Sequence, residues 1–153
     1  MNVNITGISK NLTKTEIRAI IRWMAAELRI DKYKDPVYID IRVSKNLKKR
    51  TGFFGVVTWE DTNYRPREFS MEVDANLSKY RMKTTLIHEM IHVKQFCTGK
   101  MQDFLKNYNL KKWCKEIIDT NQIEYENHPW EVEAYKLEEV YYKKWIDKNK
   151  KCR

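Results

Sequence analysis

The sequence predicts an α+β domain in which one helix, a small sheet and then further helices follow one another along the chain. Three observations carry this. Apolar residues recur at helical spacing from Ile17 to Leu28, alternate with polar ones between Val37 and Ala75, and return to helical spacing after Ser78. Four glycines and three prolines interrupt 153 residues, so long regular elements are expected, without repeats or low-complexity linkers.

The first helix is signalled by Thr13 and Glu16 at capping-box spacing, with Leu12 and Ile17 placed as a hydrophobic staple. Ile17, Ile20, Ile21, Met24 and Leu28 form its apolar stripe, and it should end near Ile30. After Pro36, Val37, Ile39, Ile41 and Val43 alternate with Tyr38, Asp40 and Arg42, the pattern of a half-buried strand. Phe53 to Trp59 and Glu68 to Ala75 read as two more strands, and the three together as a small antiparallel sheet. Tyr80 to Phe96 lacks proline and glycine and reads as a helix that Gly99 stops. Leu110, Trp113 and Ile117 suggest a further short helix, and Asp119 to His128 a polar loop. Pro129 suits the first turn of a last helix, whose stripe is Trp130, Ala134, Leu137, Tyr141 and Trp145.

A chain of this length forms a single domain, residues 1–153, able to bury a core without disulfide or metal staples. The formal charge of +9 makes the surface attractive to polyanions. However, the clusters Lys48 to Arg50 and Lys148 to Arg153 are short and lack the interleaved aromatics of single-strand binders. A lysine-rich surface accounts for the charge, and nucleic acid stays open as a partner without a motif to support it. Cys97, Cys114 and Cys152 are odd in number and include no C-x-x-C, as in a reducing compartment. The opening MNVNITGISKN lacks a signal-peptide pattern, and no apolar run approaches the roughly 20 residues that span a bilayer. A cytoplasmic monomer without membrane contact is expected.

The chemistry is concentrated in TTLIHEMIHVKQF. His88 and His92 are four residues apart, about 400° of helix, so both rings leave one face a turn apart. One tetrahedral cation requires that of two ligands on one helix. Glu89, about 100° round, can reach a water at the metal without ligating. Leu86, Ile87, Met90, Ile91 and Val93 offer dry walls. The alternative is a pair of core histidines satisfied by backbone partners.

A catalytic zinc takes three protein ligands and keeps a fourth position open. Cys97, nine residues from His88, faces the other side of the helix, and Asp74 ends a strand without a supporting pattern. HPWEVEAY instead gathers His128, Glu131 and Glu133. The helical wheel places Glu131 and Glu133 symmetrically about the apolar stripe and does not separate them. Both also suit the first turn of a helix as charges on its dipole.

LIHEMIHVKQ followed by PWEVEAY resembles the gluzincin branch of zinc metallopeptidases, whose small soluble members pair H-E-x-x-H with E-x-x-A on a later helix. Glu131, with Ala134 three residues on, matches that glutamate, and Glu133 is its competitor. Tyr135 stands where the family often has Asp or Asn, which leaves His88 and His92 without an assigned outer partner. A lesser resemblance is to SprT-like metallopeptidases, where a histidine is the third ligand and His128 would serve. His128, Tyr125 and Tyr135 are also candidate donors to a developing oxyanion.

The gluzincin resemblance implies a zincin-like fold and a zinc-dependent peptidase with Glu89 as general base and peptides or proteins as substrates. It also implies that the strand Glu68 to Ala75 lies at the sheet edge and pairs with substrate. The rival classes are a zinc-binding regulatory module without turnover and a SprT-like protease working near nucleic acid.

Overall fold

The computed structural model describes residues 1–150, which form an α+β arrangement of two small sheets and four α-helices. Cys152 and the end of the basic cluster Lys148 to Arg153 lie outside the described residues.

The first sheet is built from β1 (Asn2–Gly7), β2 (Tyr38–Ser44), β3 (Gly55–Trp59) and β4 (Glu68–Asp74), in the order β1-β2-β4-β3. β1 and β4 both run parallel to β2, and β3 alone is antiparallel to its neighbour β4. The expected three-stranded antiparallel sheet is thus a four-stranded mixed one. The reason lies in the connections. Helix α1 (Lys14–Glu27) carries the chain from β1 to β2, and a crossover of that length permits parallel pairing. β1 has only Val3 and Ile5 as apolar residues, set between asparagines of low strand propensity. Its stability comes from the ladder with Ile39 and Ile41 of β2, a non-local contact that the local pattern does not display.

A second correction follows from the strand order. Glu68 to Ala75 is interior, between β2 and β3, and the edge next to it is β3. Ile39, Ile41, Val43, Phe69, Met71 and Val73 bury into the main core, while Asp40 and Arg42 face solvent.

Helix α1 starts with the expected capping box: the Glu16 N–H donates to Thr13 Oγ1 (3.2 Å), and the Thr13 N–H donates to Glu16 Oε2 (2.8 Å). It ends at Glu27, and a single 3-10 turn, Ile30–Lys32, follows. A short helix α2 (Leu47–Thr51) precedes β3.

Helix α3 (Lys79–Cys97) is capped by Ser78, whose side chain accepts from the Arg81 N–H. It is buried over most of its circumference, between α1, the sheet and the last helix. It stops at Gly99, whose φ of +72° is the left-handed conformation glycine adopts without strain, and whose N–H donates to Phe96 O (2.9 Å).

β5 (Met101–Asp103), β6 (Leu110–Trp113) and β7 (Glu116–Asp119) form the second, antiparallel sheet. The short helix expected around Leu110 to Ile117 is therefore a hairpin. Its two-residue connection has Cys114 at φ +56°, and Trp113 pairs with Glu116 across it and with Met101 of β5. The helical spacing of Leu110, Trp113 and Ile117 was coincidental. Trp113 is anchored by packing near Trp130, with ring centroids 6.3 Å apart. Two 3-10 turns, Thr120–Gln122 and Tyr125–Asn127, lead to α4 (Pro129–Lys150), with Pro129 in its first turn. Among the described residues no helix is long and apolar enough to cross a membrane.

Candidate metal centre and cleft

Where α4 meets α3, three donors converge. His88 Nε2 is 3.1 Å from His92 Nε2 and 3.2 Å from Glu131 Oε2, and His92 Nε2 is 3.4 Å from Glu131 Oε1. His88, His92 and Glu131 are 8%, 6% and 4% exposed. Ala134, fully buried one turn after Glu131, leaves room for this approach. A tetrahedral cation with bonds of about 2.0–2.1 Å has its ligand atoms about 3.3 Å apart. The donor spacing matches that value, and two imidazoles with a carboxylate are a common donor set for divalent zinc. The group could hold a metal ion.

Outer partners aim both rings. His88 Nδ1 is 3.0 Å from Glu138 Oε2, and His92 Nδ1 is 2.7 Å from Gln95 Oε1. Both partner atoms accept, so each Nδ1 carries hydrogen and, in the neutral ring, the Nε2 lone pair faces the centre. Gln95 is fixed in turn: its Nε2 donates to Trp130 O (3.1 Å) and to Glu133 Oε2 (2.9 Å), and Glu133 is paired with Lys100. Gln95 and Glu138 were missed by the sequence reading. Their signal was spacing: Gln95 follows His92 by three residues, and Glu138 follows Glu131 by seven, each on a shared helix face.

The other candidates lie elsewhere. Glu133 is outside the triad and orients Gln95. His128 is also outside it. Its Nε2 approaches the carbonyls of Ile123 (3.2 Å) and Thr120 (3.4 Å), so the ring donates there and pins the turns before α4. Its Nδ1 is buried without a partner. Tyr125, carried by those turns, donates from Oη to Glu131 Oε1 (2.9 Å). The Tyr135 ring packs against that of His88, centroids 4.7 Å apart and planes tilted by 53°, and is half exposed. Cys97 is buried with its Sγ 3.5 Å from Pro66 O, and burial pushes the thiol up to about 11. Asp74 accepts from the N–H groups of Lys48 and Asn76.

Burial opposes charge on His88, yet hydrogen bonds to Glu131 and Glu138 outweigh it and raise its pKa to about 10. Burial likewise opposes the Glu131 carboxylate, and the bonds from His88 and His92 more than compensate, holding it well below the ordinary range. Burial raises Glu89, with His92 and His88 countering in part, and burial together with the Glu131 charge raises Tyr125.

Glu89 opens onto a cleft that follows β3. One arm, about 360 Å³, is walled by Val57, Phe96, Met101 and Trp130 and reaches His92 and Glu131. The other, about 330 Å³, runs past His88 towards the start of α3. Glu89, Gly55, Phe53 and Tyr125 line both arms. The rings of Phe53 and Tyr125 meet between them, 5.3 Å apart. β3 bonds to β4 through its even-numbered neighbours: Phe54 O accepts from Asp74 N (3.0 Å), and Glu60 N donates to Glu68 O (2.8 Å). By the alternation of an antiparallel ladder, Gly55, Val57 and Trp59 turn their N–H and C=O groups away from β4, to the open edge.

Comparison with models of known families, with curated proteins and with solved structures gives no match to this chain.

Proposed function

We propose that this protein is a zinc-dependent peptidase of the gluzincin kind, in which His88, His92 and Glu131 would hold the ion and Glu89 would act as general base. The observation that carries the reading is the convergence of those three donors beside a buried carboxylate that opens onto a cleft under a strand edge. Bound at the triad, zinc would supply Lewis acidity, lowering the pKa of a water and polarising a carbonyl oxygen.

The chain's own groups do the rest. Glu89, its proton affinity raised by burial, takes a proton from water and passes it to the leaving amine. Tyr125 stays protonated, and its single O–H, which donates to Glu131 Oε1, would have to turn from that oxygen to donate to the carbonyl oxygen as it gains charge. Substrate in extended form adds to Gly55, Val57 and Trp59 of β3, in place of the strand Glu68 to Ala75 expected from the sequence. Antiparallel addition, the more stable pairing, lays residues before the scissile bond along Val57 to Trp59. Residues after it then lie along Phe53 to Gly55, beside the start of α3. A peptide spanning both arms parts the Phe53 and Tyr125 rings.

A SprT-like assignment needs His128 in the triad, and the carbonyl contacts of that ring support a positioning role instead. A peptide library offered to zinc-loaded protein, purified without a histidine tag, tests the proposal. Wild type is expected to cut, and Glu89→Gln to keep its zinc and cut nothing. Equal cleavage by both would remove Glu89 from the chemistry, and a wild type that holds zinc yet cuts nothing would favour a regulatory metal module.

A further inference from the structure

Resting on that reading, we infer that Arg81 makes the arm beside the start of α3 a carboxylate-binding subsite, so that substrates are selected for a negative charge just after the scissile bond. Among the residues lining this arm Arg81 is the sole lysine or arginine. Its guanidinium lies 5.0 Å from the centroid of the Phe54 ring, and Lys48 Nζ lies 4.5 Å from the same centroid. Among the described residues neither cation is ion-paired within 4.0 Å of a carboxylate. The two acidic residues of this arm have other duties: Glu138 holds His88 Nδ1, and Glu89 serves the reacting water. The ring of Phe54 therefore presents an unpaired cationic fork to the arm, the geometry that receives a carboxylate through two parallel hydrogen bonds.

Arg81 precedes Glu89 by eight residues of helix, about 12 Å of rise. Arg81 and Glu89 line the same arm, so a substrate side chain extending along it from the reacting carbonyl covers much of that span, which places the carboxylate on the first or second residue after the scissile bond. The contrast with the other arm is chemical: Val57, Phe96, Met101 and Trp130 there favour an apolar side chain. The anionic group has two sources, an Asp or Glu side chain or the free C-terminus of a peptide cut near its end. Both present the same carboxylate.

Randomised peptide libraries of one length, with free-acid and with amidated C-termini, distinguish the sources. They are digested by zinc-loaded wild type, Arg81→Glu and Arg81→Gln, and the cuts are mapped by mass spectrometry. Wild type is expected to favour Asp or Glu at the first or second position after the cut, or to cut within two residues of a free C-terminus and lose this on amidation. At an exposed guanidinium such as that of Arg81, a carboxylate pair corresponds to roughly 2–5-fold in kcat/KM. Arg81→Glu should shift the preference towards Lys and Arg, and Arg81→Gln should erase it. Binding gives a readout free of turnover: a labelled peptide with the preferred acidic residue should bind Glu89→Gln protein roughly 2–5-fold more weakly once Arg81→Gln is added. Cleavage and binding indifferent to the carboxylate and to Arg81 overturn the subsite alone. A wild type that cuts no peptide overturns the peptidase reading and the subsite with it.

Discussion

Gly55 leaves no room for a side chain against Glu89. A β-carbon built on Gly55 falls 3.0 Å from Glu89 Oε1 and 3.2 Å from its Cγ, and 2.6 Å from Thr85 Cγ2. The edge strand thus passes directly over the carboxylate that it would present to a bound peptide. Gly55→Ala should displace Glu89 while leaving the triad intact. Misplacement by about 1 Å can cost on the order of 100-fold in rate. We expect kcat to fall by at least about tenfold with zinc content unchanged, checked by steady-state kinetics beside metal analysis. An unaltered kcat would show that the contact does not position the base.

Glu131 and Glu133 are equivalent on a helical wheel and differ in the folded chain. Glu131→Gln should abolish tight zinc binding. Glu133→Gln removes only the outer support of Gln95, and loss of such a support weakens metal binding by about 10–100-fold. Competition against a chromophoric chelator ranks the two. A larger loss for Glu133→Gln would exchange their roles.

Glu138 holds His88 from behind as Gln95 holds His92. Glu138→Ala and Gln95→Ala should each weaken zinc binding by about 10–100-fold without changing its stoichiometry. Both side chains lie apart from the donor atoms, so a loss of stoichiometry would mark a ligand that the triad lacks.

The charged His88 of the metal-free centre gives a definite pH dependence. Its pKa rises from 6.5 to about 10, so its stabilising effect is full below about 6.5 and lost as pH climbs through 10. Glu131 is depressed, so its effect is present above its ordinary pKa of 4.5 and lost as pH falls below that. Metal-free protein should therefore melt highest between those limits. At pH 7 zinc must displace the His88 proton, so affinity should rise with pH, with about one proton released per ion. Calorimetry in buffers of different ionisation enthalpy measures that release, and zinc binding without it would contradict the assigned charge on His88.

Local signals made the three long helices legible, while the short α2 (Leu47–Thr51) was not among the expected elements. Thr13 with Glu16, Ser78 before the motif helix, Gly99 after it and Pro129 opening the last helix all act within a few residues of themselves. The same holds for His88 and His92, whose shared face is a property of helix geometry. What the sequence concealed depends on distant chain. β1 is too weakly patterned to declare itself without β2, and the edge passes from β4 to β3 only through the order in which strands assemble. Trp113 reads as helical until its partners Met101 and Glu116 are in place. Gln95 and Glu138 carried a spacing signal, yet their acceptor roles depend on the docking of α4 against α3. Gly55 gave no sign at all, because its neighbour Glu89 is far along the chain.

The zinc-binding and kinetic predictions above all depend on one divalent ion binding among His88, His92 and Glu131. Elemental analysis of tag-free protein, dialysed after exposure to zinc, measures that binding. One zinc per chain is expected in wild type, and none retained by His88→Ala, His92→Ala or Glu131→Gln variants that still fold by circular dichroism. A wild type that retains no zinc, or folded variants that all retain one, would contradict it.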